Sequence, residues 1–141
     1  MKRLLLVPAA AICFFFSACG EPEQTETEFF VSPNESSELA ILMRDMFDDA
    51  MRMKGELEVG KKPTPGVDIE RILTAEATEP EKAASLEYKA FAEAYIHVTS
   101  QMKEANHAQA SEVFDEMVES CITCHQQLCP GPIRKISKLK E

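Results

Sequence analysis

Three side chains near the C-terminus have the type and the spacing to carry chemistry. They are the two thiols and the imidazole of Cys121-Ile122-Thr123-Cys124-His125. On a helix the two sulfurs lie about one turn apart on the same side, and each can add to a vinyl group of a porphyrin to form a thioether. The adjacent imidazole can then place a nitrogen on the iron. The Cys-x-x-Cys-His pattern therefore predicts covalent attachment of one haem c through Cys121 and Cys124, with His125 as an axial iron ligand.

Three other arrangements use the same residue types. A thiol-redox pair also has the Cys-x-x-Cys spacing, but it lies near a βαβ unit, and no segment of this chain alternates like a strand. A zinc site could use Cys121, Cys124, His125 and Cys129, although that spacing matches no common zinc module. A disulfide between Cys121 and Cys124 is the third arrangement. The first two describe a haem-free metal-binding or thiol-redox protein, which stays open as an alternative.

The number of cysteines agrees with the haem prediction. The chain has five, of which Cys13 lies in a segment removed on export and Cys19 is expected to carry lipid. The motif uses two more and leaves Cys129 alone, so the mature chain has no basis for an intramolecular disulfide framework. We expect Cys129 to be a free, partly buried thiol near the haem edge.

The N-terminal residues have the composition of a targeting segment. A basic start is followed by an apolar run over 4–16, which is too short to span a bilayer, and then by small residues before Cys19. This order resembles a bacterial lipoprotein signal, in which the cysteine becomes the lipidated N-terminus. We predict a signal peptide over 1–18, a lipid-anchored acidic linker over 19–32 and one domain over 33–141. The mature protein is then expected in the cell envelope, on the periplasmic or outer-surface side, anchored to a membrane by lipid.

Composition limits the classes of partner and the size of the core. The 141 residues carry a formal net charge of -9, with 28% charged and 45% hydrophobic residues. A chain this acidic is a poor candidate for nucleic-acid binding and suits docking on basic partner proteins. Aromatic residues make up only 7% and tryptophan is absent, so a buried cofactor would help to fill a thin core.

Four helical stretches are predicted to position the motif. Each shows an apolar stripe at three- and four-residue steps and begins at a residue that can cap a helix. The capping residues are Ser32, Asp68, Thr78 and Asn106. The predicted helices cover residues 33–57, 69–77, 80–105 and 107–128. A short connection makes the last two helices antiparallel neighbours, and we predict an all-α, up-down four-helix bundle with the haem motif near its C-terminal end.

Three features outside the motif carry weaker signals. His97 is a lesser candidate for an iron ligand, and both His97 and His107 are expected on the surface. The basic tail over 134–140 could pair with haem propionates or with an acidic patch on a partner. A solvated amphipathic segment is the alternative interpretation of this tail.

The position of the motif near the C-terminus, on the last helix of a bundle, resembles the class II c-type cytochromes of the cytochrome c-prime type. The resemblance covers residues 32–128 as an architecture and rests in sequence on the Cys-x-x-Cys-His motif. Low-spin members of that family place a methionine of the first helix on the other side of the haem. The resemblance implies this role for Met43, with Met46 as the alternative. The resemblance is also compatible with a homodimer, since many members of that family form dimers through their helices.

These predictions lead to three hypotheses of function. With a methionine as sixth ligand the iron has no open position, which favours a one-electron carrier that serves redox partner proteins of the cell envelope. With an open sixth position the haem would bind or sense gases, as the high-spin members do. The haem-free protein is the third hypothesis. No catalytic triad, Gly-rich phosphate loop or paired carboxylate site is evident, so we do not expect an enzyme.

Overall fold

The described part of the protein is all-helical. A computed structural model describes residues 36–141, and no strand occurs within them. The signal peptide, the lipidation site, the linker and the predicted cap at Ser32 lie outside the described residues. Within residues 36–141 no helix is long and apolar enough to cross a membrane. The α-helices are α1 (Glu38–Glu58), α2 (Pro80–Ala84), α3 (Leu86–Gln101), α4 (His107–Leu128) and α5 (Ile133–Ile136), and two 3-10 segments are Ile69–Leu73 and Ser137–Lys140.

The first helix begins later than its sequence pattern predicts. Residues 36 and 37 are not helical, and the side-chain oxygen of Ser37 accepts a hydrogen bond from the amide of Ala40 at 3.2 Å. Ser37 is therefore the N-cap of α1, where the prediction placed the start at Pro33. Several polar residues precede the apolar stripe, and each Ser among them is a plausible cap by type. Only the backbone conformation selects Ser37.

The predicted second and third helices are both interrupted. The second, predicted over 69–77, is a 3-10 segment of five residues, and the chain leaves it at Thr74. The third, predicted over 80–105, is divided because Ser85 adopts an extended conformation (φ -64°, ψ 151°) and caps the amide of Tyr88. A residue that starts one helix by capping cannot also continue the helix before it. The predicted capping box at Thr78 is also wrong, since α2 has no side-chain cap.

The start and end of the last long helix are confirmed. Asn106 accepts from the amide of Gln109 at 3.0 Å, and the Gln109 side chain accepts from the amide of Asn106 at 2.9 Å. This reciprocal capping box satisfies two amide groups that a helix start leaves without partners. The helix then continues without interruption through the Cys-x-x-Cys-His motif to Leu128, two residues before Pro130.

The core is built mainly between α3 and α4, which share the largest interface between helices in the described chain. Small residues at this interface, Ala92 and Ala110, are at most 1% exposed and allow the helices to approach closely. The C-terminal half of α1 adds Ala50 and Met53 to the same core. Other buried members from α3 and α4 are Tyr88, Tyr95, Thr99, Val113, Phe114, Met117, Val118 and Ile122.

The C-terminal tail folds back onto the helices and is not solvated as a whole. After the turn at 130–132, Ile136 and Leu139 are buried in the core, while the four basic residues over 134–140 stay exposed. The tail contacts both α1 and α4. The Lys135 ammonium lies 4.3 Å from the centre of the Phe47 ring, which is a cation–π distance. The tail therefore holds the N-terminal half of α1 at a fixed position relative to the end of α4.

Candidate cofactor site

An apolar cavity of about 580 Å³ lies between the N-terminal half of α1 and the C-terminal end of α4. This volume is within the usual range for sites that bind small molecules and cofactors. The helix α1 forms one wall and the end of α4 forms the facing wall. The segment over 77–83 and the turn and helix over 131–136 complete the enclosure. The Cys-x-x-Cys-His motif thus lies beside an apolar cavity of cofactor size.

The continuous helix α4 sets the relative positions of the three motif residues. Because they are three and four residues apart, Cys121, Cys124 and His125 lie on one side of the helix. Cys124 and His125 line the cavity, whereas Cys121 is one turn further from the cavity and packs against the core. The structure therefore brings two of the three predicted residues to the cavity, while the third, Cys121, packs against the core one helical turn away.

The thiols of the motif are held in the protonated state. Burial raises the pKa of Cys121 to about 12, and the neighbouring Cys124 thiol adds to this effect. Burial, followed by Cys129 and Glu87, raises the pKa of Cys124 to about 11. A catalytic thiol-redox pair requires a lowered pKa, commonly at a helix N-terminus. This motif lies near a helix C-terminus and has raised pKa values, which disfavours the thiol-redox alternative.

The same residues do not form a zinc cluster in the structure. Among residues 36–141, no three His, Cys, Asp or Glu side chains come close enough to hold a metal ion between them. Cys129, the fourth ligand of the zinc alternative, is exposed and not partly buried, because it lies at the end of α4 at the cavity mouth. A metal already held by a macrocycle needs only axial ligands from the protein, so this finding bears on zinc and not on haem.

His125 has one nitrogen occupied by the protein and one available. The residue is only 8% exposed, and its Nδ1 lies 3.0 Å from the carbonyl oxygen of Cys129. A carbonyl oxygen can only accept a hydrogen bond, so Nδ1 carries the proton. Nε2 has no hydrogen-bond partner within residues 36–141, and this atom is not fully buried. An imidazole whose Nδ1 donates to a carbonyl and whose Nε2 is free beside a cavity is suited to metal ligation.

The facing wall brings one of the two candidate methionines to the cavity. Met43 lines it, with Ala40 and Phe47 one turn before and after on the same side of α1. Met46 is 7% exposed and belongs to the core, away from the cavity. Met43 and His125 thus line the same cavity from two different helices, whereas Met46 packs among core side chains.

Positive charge is concentrated at the cavity mouth. Arg44, Lys82 and Lys135 line it, and the only acidic residue of the lining is Glu79, which pairs with Lys82 at 2.8 Å. An apolar interior with a cationic mouth is suited to a flat apolar molecule that carries carboxylates at one edge. The acidity of the whole chain does not predict this local excess of cations.

Several parts of the site are absent from the sequence prediction. Tyr88, the segment over 77–83 and the turn over 131–136 all line the cavity. The sequence does contain a pattern for the packed C-terminal segment over 131–136. Apolar residues recur every third position, at Ile133, Ile136 and Leu139, after the Pro-Gly-Pro turn. That spacing favours a short packed helix over a solvated tail.

The other two histidines lie elsewhere. His97 is exposed on α3 and faces a shallow polar depression with Asp68, Glu70 and Glu93. His107 is exposed at the start of α4. As predicted, both are surface residues, and neither lines the cavity beside the motif. No family description, curated protein or solved structure matches the chain.

Proposed function

We propose that this protein is a monohaem c-type cytochrome of the cell envelope that transfers electrons. In this proposal Cys121 and Cys124 hold haem c covalently, His125 is one axial ligand, and Met43 is the other. The observation that carries the proposal is one apolar cavity, beside a Cys-x-x-Cys-His motif, that is lined both by His125 from α4 and by the thioether side chain of Met43 from α1.

The residues present fit a haem in five respects. The walls are apolar, the volume suits a cofactor, and Nε2 of His125 has no hydrogen-bond partner within residues 36–141. The cations at the mouth, Arg44 and Lys135, are suited to the two propionates. The protonated thiols match thioether formation, which begins from free cysteines and removes their acidity. Bound haem would supply reversible one-electron chemistry, and the chain's own residues would bind, orient and cover it.

The helical arrangement supports a relationship in architecture to the class II c-type cytochromes. The motif lies at the C-terminal end of the last long helix, and the first helix faces it across the cavity. In the proposed four-helix bundle, the 3-10 segment Ile69–Leu73 takes the place of the second helix between α1 and α3. The C-terminal tail is an additional part, and it encloses the cavity where the bundle would otherwise be open.

Electron transfer follows from the number of protein ligands. Two axial side chains leave no iron position for a substrate, so the reaction with partners is limited to electrons passed across the haem edge. We propose that partners are redox proteins of the envelope. An N-terminal lipid at Cys19 would hold the domain close to membrane-bound donors and acceptors and raise their effective concentration.

The sixth ligand is tested with two matched methionine variants of the haem-loaded protein. Met43→Ala should remove the charge-transfer band between sulfur and iron from the oxidised absorption spectrum, and should allow carbon monoxide to bind the reduced form. Met46→Ala should keep the band, because Met46 lies in the core. Wild-type protein that binds carbon monoxide readily and lacks the band would favour the gas-binding alternative and contradict an electron carrier with a methionine ligand.

A further inference from the structure

One residue at the end of α4 makes three separate contacts with the proposed axial histidine. The Cys129 amide donates to the carbonyl of His125 at 3.1 Å. The Cys129 carbonyl accepts from His125 Nδ1 at 3.0 Å, and the Cys129 sulfur lies 3.3 Å from the same nitrogen. The backbone and the ring of His125 are therefore both held by Cys129.

The backbone conformation of Cys129 explains why its carbonyl reaches the ring. The residue has left the helix, with φ -156° and ψ 79°. The following Pro130 disfavours helical conformation at the residue before it. The carbonyl of a residue in the helix would point along the helix axis, whereas this one turns towards the imidazole one turn earlier. The Cys129-Pro130 pair thus forms a local acceptor that does not depend on distant packing.

We propose that Cys129 is the positioning residue of the axial histidine. It holds the proton on Nδ1, fixes the plane of the ring, and leaves Nε2 directed to the cavity for the iron. The effect at the iron rests on the proposed function. Hydrogen bonds to the outer nitrogen of a ligating histidine fix its tautomer and raise the basicity of the nitrogen bound to the metal. A more basic ligand stabilises oxidised iron, so this contact lowers the reduction potential.

The proposal gives Cys129 a role that the haem motif alone does not. The thiol is not needed for a thioether, and its contact with Nδ1 adds to the contact made by the carbonyl. Replacement by Ser keeps a polar atom at the same position. Replacement by Ala removes the side-chain contact only, and Pro130→Gly releases the carbonyl.

The test uses the haem-loaded full chain with four variants. In reduced protein labelled with ¹⁵N, the exchange of the His125 Nδ1 proton with water is measured by NMR, and the reduction potential is measured by titration. Pro130→Gly should accelerate exchange by about fivefold or more, the factor expected for the loss of one net hydrogen bond. Its potential should become more positive. Cys129→Ala should shift both quantities less in the same directions, and Cys129→Ser should restore them towards wild type.

Ser137→Ala is the matched control. It removes a side-chain hydrogen bond to the Ile133 carbonyl at 3.0 Å in the same C-terminal tail and leaves the histidine contacts intact. Equal exchange rates and equal potentials in Cys129→Ala, Pro130→Gly and this control would overturn the positioning role. If Pro130→Gly does not fold, the proton exchange rate and the reduction potential of Cys129→Ala, compared with those of the control, decide whether Cys129 positions the histidine. A preparation without covalent haem would instead contradict the proposed function, so the two failures are distinguishable.

Discussion

The middle and the C-terminal end of α4 are built for different purposes. The middle is closed: it packs in the core, and Met117 and Val118 have no exposed surface. At the C-terminal end, the same apolar face borders a cavity of about 580 Å³. One continuous helix therefore carries both a dense core and part of the wall of the candidate site. The closed middle fixes the position of α4, which allows its open C-terminal end to border a cavity without loss of the fold.

The difference has a physical origin in the residues between the helices. Small alanines let α3 and α4 approach each other closely. Between α1 and the end of α4, the C-terminal tail is inserted, with Lys135 over the Phe47 ring and Ile136 in the core. The amide of Leu39 also donates to the Glu76 carbonyl at 2.9 Å, which ties the start of α1 to the segment after the 3-10 turn. The C-terminal tail and the segment after the 3-10 turn hold the N-terminal half of α1. The cavity between α1 and the end of α4 therefore stays open.

The largest expected effect compares a methionine in the closed middle of α4 with a methionine at the cavity. Met117→Ala should lower the free energy of unfolding by about 2–5 kcal/mol, because it leaves a hole in a closed core. The absorption spectrum of its haem should stay unchanged. Met43→Ala should change the spectrum and lower the stability less, since its side chain lines the cavity from α1. Denaturant unfolding and absorption spectra of both variants provide the measurement, and equal losses of stability would contradict the difference between the closed core and the cavity.

A buried hydrogen bond between the two regions gives the next effect. The Tyr88 hydroxyl, at the cavity, donates to the Ile72 carbonyl at 2.7 Å. Tyr88→Phe leaves that carbonyl without a partner and should cost about 1–3 kcal/mol of unfolding free energy. Ser100→Ala removes a bond of the same kind to the His97 carbonyl, but at an exposed site where water replaces it. Its stability should be close to wild type, and a loss as large as that of Tyr88→Phe would show that burial is not the cause.

The thiols predict a pH dependence for the haem-free chain. Burial raises the pKa of Cys121 to about 12 and of Cys124 to about 11, above the value of about 8.5 for an unfolded thiol. A raised pKa means that stability is complete below pH about 8.5 and falls as the pH rises towards the folded values. Burial also raises the pKa of Tyr88 from 10.0 to about 12, so this tyrosine affects stability only above pH about 10. Between pH about 8.5 and 10 the loss of stability therefore reports on the thiols.

The measurement is denaturant unfolding of the haem-free chain across this interval. The double variant Cys121→Ser, Cys124→Ser should lose less stability between its ends than the wild type. Haem-loaded protein should also lose less stability, since the sulfurs of Cys121 and Cys124 are then thioethers and, of the three thiols, only Cys129, whose pKa burial also raises, can still titrate. A decline of the same size in all three preparations would assign the effect to other groups.

The smallest effect concerns the ion pair between the tail and α4. Lys140 pairs with Glu119, and about half of each side chain is exposed. Exposed pairs of this kind contribute about 1 kcal/mol or less. Glu119→Ala should therefore change the unfolding free energy by no more than that and should leave the haem spectrum unchanged. A loss of several kcal/mol would mean that the charges, and not Ile136 and Leu139, hold the tail in place.

The sequence predicts the closed core around α4 better than the cavity at its C-terminal end. The stripe of α4 and the capping box at Asn106 follow from local pattern, and the all-helical class is confirmed. The division at Ser85 could not be predicted, because a serine inside a good helical pattern caps a new helix only if the backbone turns there. The cavity walls beyond α1 and α4 come from residues distant in sequence. The sequence indicates which residues could bind a cofactor, whereas the packing of the helices determines which of those residues lie at the same cavity.

Two predictions at the site, the haem motif and the methionine ligand, illustrate the same limit. The motif is local, so the common face of Cys121, Cys124 and His125 follows from spacing. The choice between Met43 and Met46 depends on the rotation of α1 about its axis, and both residues fit the apolar stripe. The structure separates them because one lines the cavity and the other lies in the core. Ligation by Met43 remains a prediction.

The central claim is that the motif holds a haem by covalent bonds, and the mass of the unfolded chain tests it most directly. The protein should be produced with a c-type cytochrome maturation system, denatured in acid and weighed. We expect the polypeptide mass plus one haem for the wild type and for Cys129→Ser, and the bare polypeptide for the double variant Cys121→Ser, Cys124→Ser. A wild-type chain without the haem mass, or a double variant that retains it, would contradict the account.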